Sequence, residues 1–123
     1  MAKKILIIDD EKDLLEMLTF RLKAQGFEVF SALDGPSGIE KAKSDKPDLI
    51  LLDIMMPGLD GYAVAKILKA DKTTSGIPII VFTAAVTPDL SQKVCEIHAI
   101  DCITKPFEPQ VLLAKIAELL EKK

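Results

Sequence analysis

Apolar residues in this chain follow two rhythms that alternate from one end to the other. Ile5-Leu6-Ile7-Ile8, Leu49-Ile50-Leu51-Leu52 and Ile79-Ile80-Val81-Phe82 are continuous apolar runs, the first and last of them rich in β-branched residues, as strands buried on both faces require. Between these runs, apolar residues recur every three or four positions, which is helical spacing. The first run predicts a strand over 4–8, stopped by Asp9, and Leu14, Leu18 and Leu22 then form a helical stripe from Glu11 to a terminating Gly26. A strand over 28–31, a helix over 37–44 and a strand over 49–53 follow. Asp60 can cap a third helix with Val64, Ile67 and Leu68 on one face, ahead of a strand over 79–83. Thr87 and Pro88 suit the start of a fourth helix, with Leu90, Val94 and Ile97 as its stripe. A strand over 100–104 and a helix from Pro109 burying Leu112, Ile116 and Leu119 complete about five β-α units. Such alternation predicts an α/β fold, a five-stranded parallel sheet with helices on both faces.

Composition narrows the picture without changing it. A chain of 123 residues is the size of one domain. Its 49% hydrophobic and 28% charged residues describe a globular protein, and 5% aromatics leave the core to aliphatic side chains. The run 5–8 is far shorter than the roughly 20 residues of a membrane span, so no membrane association is expected and the cytoplasm is the expected location. Cys95 and Cys102 fit neither a metal-ligand spacing nor a disulfide framework. A net charge of -3 lacks the basic footprint of a nucleic-acid binder.

Chemistry gathers at the predicted strand ends, where ligands bind in sheets of this kind. The first strand ends in Asp9-Asp10, the third in Asp53 and the fourth in Thr83, while Lys105 follows the fifth. Each has an ordinary reading alone: Asp10 as a helix cap, Asp53 as a solvated acid before the Pro57-Gly58 turn, Thr83 as a β-former, Lys105 as a surface lysine. Their shared location argues for a site. Three carboxylates in one cleft repel by on the order of 4 kcal/mol per close pair at an effective dielectric near 20, so they call for a cation. Mg2+ accepts one or two carboxylates and keeps positions for water and phosphate oxygens. With Lys105 as a second positive group, the set is suited to phosphoryl transfer, which depends on positioning and charge stabilisation.

Ile7-Ile8-Asp9-Asp10-Glu11, Asp53-Ile54-Met55-Met56-Pro57-Gly58-Leu59-Asp60-Gly61, Phe82-Thr83-Ala84 and Thr104-Lys105-Pro106-Phe107 together resemble the receiver domain of two-component response regulators, across essentially the whole chain. The resemblance implies the doubly wound, flavodoxin-like form of the sheet, and one receiver domain over 1–123, standing alone or excised from a longer protein. It implies that Asp53 is the phosphoacceptor. Asp9, Asp10, Asp53 and the backbone carbonyl of Met55 would hold Mg2+, while Thr83, Lys105 and the Ala84 N–H would bind phosphoryl oxygens. The implied donor is a sensor histidine kinase or a histidine phosphotransfer protein, and the output partner is a protein of unspecified identity.

Four positions depart from that pattern or qualify it. Cys102 stands where the family usually has an aromatic ring that moves with the threonine, so transmission is expected to rely on the segment 83–88 and the helix after it. Met55 and Ala85 offer no polar side chain to orient an attacking water, which predicts a long-lived phosphoryl group. His98 reads as a helix-end residue rather than a phosphotransfer group. Among other readings, a flavin carrier would need a glycine- and hydroxyl-rich loop where Asp9-Asp10-Glu11 stands. A phosphohydrolase would need a substrate pocket that the short connections do not supply. A degenerate receiver acting as a constitutive interaction module is disfavoured by the complete set of acids, threonine and lysine.

Overall fold

β1 (Lys4–Ile8) is paired on both sides, with β2 (Glu28–Ala32) and with β3 (Leu49–Asp53), and β3 continues to β4 (Ile79–Thr83) and then β5 (Asp101–Thr104). Every pairing is parallel, as the β-α alternation predicts, and the spatial order is β2-β1-β3-β4-β5, the flavodoxin-like arrangement that the resemblance implies. The structure is a computed structural model that describes residues 3–54, 61–83, 101–104 and 108–121. Within them lie four helices, α1 (Lys12–Ala24), α2 (Gly35–Asp45), α3 (Gly61–Ala70) and α4 (Pro109–Glu121). The helix expected near Pro88 lies outside the described residues.

The continuous apolar runs are divided residue by residue between two layers, because successive side chains of a strand point to opposite faces. Ile5 and Ile7 of β1, Leu49 and Leu51 of β3 and Ile80 and Phe82 of β4 pack with Leu15, Leu18 and Leu22 of α1 and Leu112, Ile116 and Leu120 of α4. Leu6, Ile8, Ile50, Leu52, Ile79 and Val81 pack on the other face with Ala42 of α2 and Val64, Ala65 and Leu68 of α3.

Helix faces are rotated slightly from those expected. On α1 the buried stripe is Leu15, Leu18 and Leu22, with Leu14 only partly buried. On α3, Ala65 is buried and Ile67 is 40% exposed; on α4, Leu120 is buried and Leu119 is 36% exposed. Both shifts have one cause: the face is centred on Gly61 and Ala65 in α3 and between Leu112 and Leu113 in α4, which leaves Ile67 and Leu119 at its edge. The α2 helix also starts earlier than expected. Asp34 caps it, accepting from the Ser37 N–H at 2.8 Å, and Pro36 occupies the first turn. At the end of α1, Gly26 adopts φ +94, and the N–H groups of Gly26 and Phe27 return to the carbonyls of Lys23 and Leu22, closing the helix as a Schellman motif.

The exit from α3 is tied down by polar groups. Buried Thr74 donates its hydroxyl to the Leu68 carbonyl at 2.5 Å, and Lys69 reaches the Ile77 carbonyl at 2.9 Å. Asp71 accepts from the Thr73 hydroxyl at 2.7 Å and the Thr73 N–H at 2.9 Å, and faces Lys43 of α2 at 3.2 Å. These contacts, the Thr73 hydroxyl first, lower the Asp71 pKa from 3.8 to about 2. A folded-state pKa below the unfolded one stabilises the fold above the unfolded value and loses that contribution as pH falls through the folded one. The Asp71 share of stability is therefore complete above its ordinary 3.8 and lost as pH falls to about 2. A carbon-detected NMR titration should place the Asp71 midpoint near 2, and a midpoint at the ordinary value would contradict the capping geometry.

Candidate functional site

The strand order reverses direction between β1 and β3: β2 lies on one side of β1 and the later strands extend from the other. A crevice at the carboxyl ends of the strands is the expected consequence of that reversal. Asp9 and Asp10 leave β1 there, and Asp53 is the last residue of β3.

One carboxylate oxygen from each of Asp9, Asp10 and Asp53 lies within 4.8 Å of the other two. Asp9 is fully buried and Asp53 nearly so, whereas Asp10 is exposed. The backbone holds the buried pair in place. The Asp9 N–H extends the β1-β2 ladder to the Ala32 carbonyl at 3.1 Å, and the Asp9 Oδ1 accepts from the Glu11 N–H at 2.9 Å. Glu11 is the N-cap of α1, so Asp9 meets the positive end of that helix. Beyond Asp53, the Ile54 N–H donates to the Phe82 carbonyl at 3.1 Å, carrying the β3-β4 ladder one residue past the acid. The Ile54 carbonyl accepts from the Gly61 N–H at 3.0 Å.

At 4.8 Å each carboxylate pair repels by on the order of 3 kcal/mol at an effective dielectric near 20. A cation between them converts that repulsion into attraction. The donor set is all carboxylate oxygen and combines two buried groups with one open to water, which fits a hard divalent ion with water in its remaining positions.

Thr83 ends β4 one residue beyond Phe82, the register partner of Asp53. Its own partner is Thr104, after which Lys105 follows in the chain. The sheet thus brings the backbone of Asp9, Asp53, Thr83 and Thr104 to one end. The Thr83 and Cys102 side chains, and the whole of Met55, Ala84, Ala85, His98 and Lys105, lie outside what is described. Two contributors escaped the sequence reading: the Glu11 amide, which orients Asp9, and Gly61, which lies against the backbone of Asp53 and Ile54. The first had no signal in residue type, since any residue supplies that N–H. The second had a weak one, a glycine directly after a candidate cap.

Comparison with known proteins agrees with this geometry. The family model of the response regulator receiver domain matches residues 5–117. The chain is 40% identical over 119 residues to the response regulator PleD of Caulobacter vibrioides, covering 97% of this chain and 26% of PleD. It is 38% identical over 122 residues to the alkaline phosphatase synthesis transcriptional regulatory protein PhoP of Bacillus subtilis, covering 99% and 50% respectively. The chain therefore spans about a quarter to a half of the length of these relatives. Among solved structures, the chemotaxis protein CheY4 of Vibrio cholerae superposes with a TM-score of 0.91 at 28% identity, covering 96% of this chain and 98% of that one.

Proposed function

The chain belongs to the response regulator receiver domain family, and from that premise we propose that Asp53 accepts a phosphoryl group and that the resulting change in charge and shape alters partner binding. The observation that carries the proposal is the convergence of Asp9, Asp10 and Asp53 at the β1/β3 switch point. We read the whole of 1–123 as one receiver domain, supported by the match over 5–117 and the continuous sheet.

In the proposed reaction an Asp53 carboxylate oxygen attacks phosphorus in line with the leaving group. The new O–P bond forms as the N–P bond of a donor phosphohistidine breaks, and the departing imidazole nitrogen keeps the electron pair. Asp9, fixed by the Glu11 N–H, and Asp10, open to water, would hold Mg2+ with Asp53 and the Met55 carbonyl. When bound, Mg2+ would offset the carboxylate charges and draw negative charge from the phosphoryl oxygens. Thr83, the Ala84 N–H and Lys105 would bind those oxygens, and the register that brings Thr83 and Thr104 level beside Asp53 supports this assignment. The same groups would assist the domain in its own phosphorylation and dephosphorylation.

The proposed donor is a histidine kinase or histidine phosphotransfer protein in the cytoplasm. Among the described residues no helix is long and apolar enough to cross a membrane. The net charge of -3 argues against this segment itself binding nucleic acid, although PhoP is named a transcriptional regulatory protein.

Incubation with acetyl phosphate tests the proposal through intact mass. With Mg2+, one phosphoryl group should be added; with excess EDTA in place of Mg2+, the mass should stay unchanged. Equal addition in both would remove the metal from the proposal, and no addition in either would count against the acceptor role.

A further inference from the structure

Gly61 opens α3 on its buried face, which Val64, Ala65 and Leu68 continue at helical spacing. Among the described glycines only Gly26 has a positive φ, so the backbone of residue 61 does not call for glycine. Helix propensity alone favours alanine there. Space rules the other way: a Cβ at residue 61 would collide with the Asp53 carbonyl oxygen and the Ile54 Cα, both backbone atoms. At Gly38, by contrast, the atoms nearest an added Cβ all belong to the Ile8 side chain, Cδ1 at 2.5 Å and Cγ1 at 2.7 Å, with no backbone atom among them.

We infer that Gly61 is a positioning residue for the Asp53 carboxylate, an inference that rests on Asp53 being the phosphoacceptor. The Asp53–Ile54 peptide is clamped between two elements. On one side the Ile54 N–H is held at 3.1 Å by the Phe82 carbonyl of β4; on the other, Gly61 of α3 touches it and donates to the Ile54 carbonyl at 3.0 Å. A side chain at residue 61 must drive that peptide toward β4 or lift the start of α3. The first movement carries the Asp53 carboxylate away from the Asp9 and Asp10 oxygens now within 4.8 Å of it, since β1 and β4 flank β3 on opposite sides; the second breaks the Gly61 N–H bond to the Ile54 carbonyl and frees the chain just after Asp53 to shift. Gly61 therefore sets where the third carboxylate stands, with no side chain of its own.

Gly61→Ala should weaken Mg2+ binding, measured by calorimetry on protein shown to be folded by circular dichroism, by about 10- to 100-fold. Phosphorylation by acetyl phosphate should slow by on the order of 100-fold. Leu68→Ala, on the same buried face of α3 but remote from the acids, controls for lost stability alone: it should lower the thermal midpoint and leave the Mg2+ affinity of the folded protein unchanged. Unaltered affinity in Gly61→Ala, or an equal loss in both variants, would overturn the inference. Should Gly61→Ala not fold, the unaltered protein decides: saturating Mg2+ should shift the Gly61 amide resonance together with those of Asp53 and Ile54, and a stationary Gly61 resonance would overturn it. If the unaltered protein neither binds Mg2+ nor takes a phosphoryl group, the acceptor reading itself fails and this inference falls with it.

Discussion

Asp53→Asn should take no phosphoryl group from acetyl phosphate, and in EDTA it should be more stable than the unaltered protein. The first effect is chemical: an amide offers no carboxylate oxygen to attack phosphorus. The second is electrostatic. With no cation present, the substitution removes two of the three pairwise repulsions among the Asp9, Asp10 and Asp53 oxygens, which lie within 4.8 Å of one another. Because Asp10 is exposed and screened by water, the gain should be about 1–2 kcal/mol rather than the full Coulomb sum. Added Mg2+ should then raise the thermal midpoint of the unaltered protein and barely move that of the variant, since a ligand stabilises only in proportion to its binding. Intact mass and thermal melts in EDTA and in Mg2+ measure both effects. A phosphoryl group found on the asparagine variant would place the acceptor elsewhere, and a stability loss in EDTA would show that the three acids are not in repulsive contact.

The largest loss of stability from one substitution at the sheet's carboxyl end is expected from Phe82→Ala. Phe82 is fully buried and packs in the layer shared by β1, β3, α1 and α4. Truncating such a ring costs about 3–5 kcal/mol through lost transfer energy and the cavity left behind. A domain of this size has a total stability of about 5–15 kcal/mol, so the loss takes between about a fifth of it and nearly all of it. The site should suffer to the extent that collapse around the cavity shifts the residue 82 carbonyl, a backbone group the variant keeps, which receives the Ile54 N–H next to Asp53. Urea unfolding gives the measurement, and a loss below about 1 kcal/mol would mean that the layer refills the space.

The strands and the acids were legible because the same physics marks both. A run such as Leu49-Ile50-Leu51-Leu52 has no polar residue to offer solvent on either side, so it reads as central, and the charge that stops it must lie at the sheet's end. Asp53 and Asp9 are found in this way. Helix faces were less legible. Helical spacing groups Leu112, Ile116 and Leu119, but the neighbouring sheet and α1 decide where the face is centred, and they select Leu120. The Asp34 cap was missed although an acid precedes Ser37 by three residues, because Gly35 and Pro36 carry no apolar periodicity. The Glu11 amide is a backbone group that residue type does not encode, and the Gly61 contact shows in the sequence only as a glycine after Asp60, with nothing to say that Asp53 and Ile54 are what it lies against.

The division of β3 between two layers has an evolutionary consequence. Leu49 and Leu51 belong to one layer, Ile50 and Leu52 to the other, and substitutions that share no neighbours act almost additively. The strand works as a party wall between two separately furnished rooms. A lineage can remodel the side covered by α1 and α4 without renegotiating the side covered by α2 and α3, while Asp53 stays at the end of the wall between them. One carboxylate at that position can in this way be inherited by descendants that present quite different outer faces.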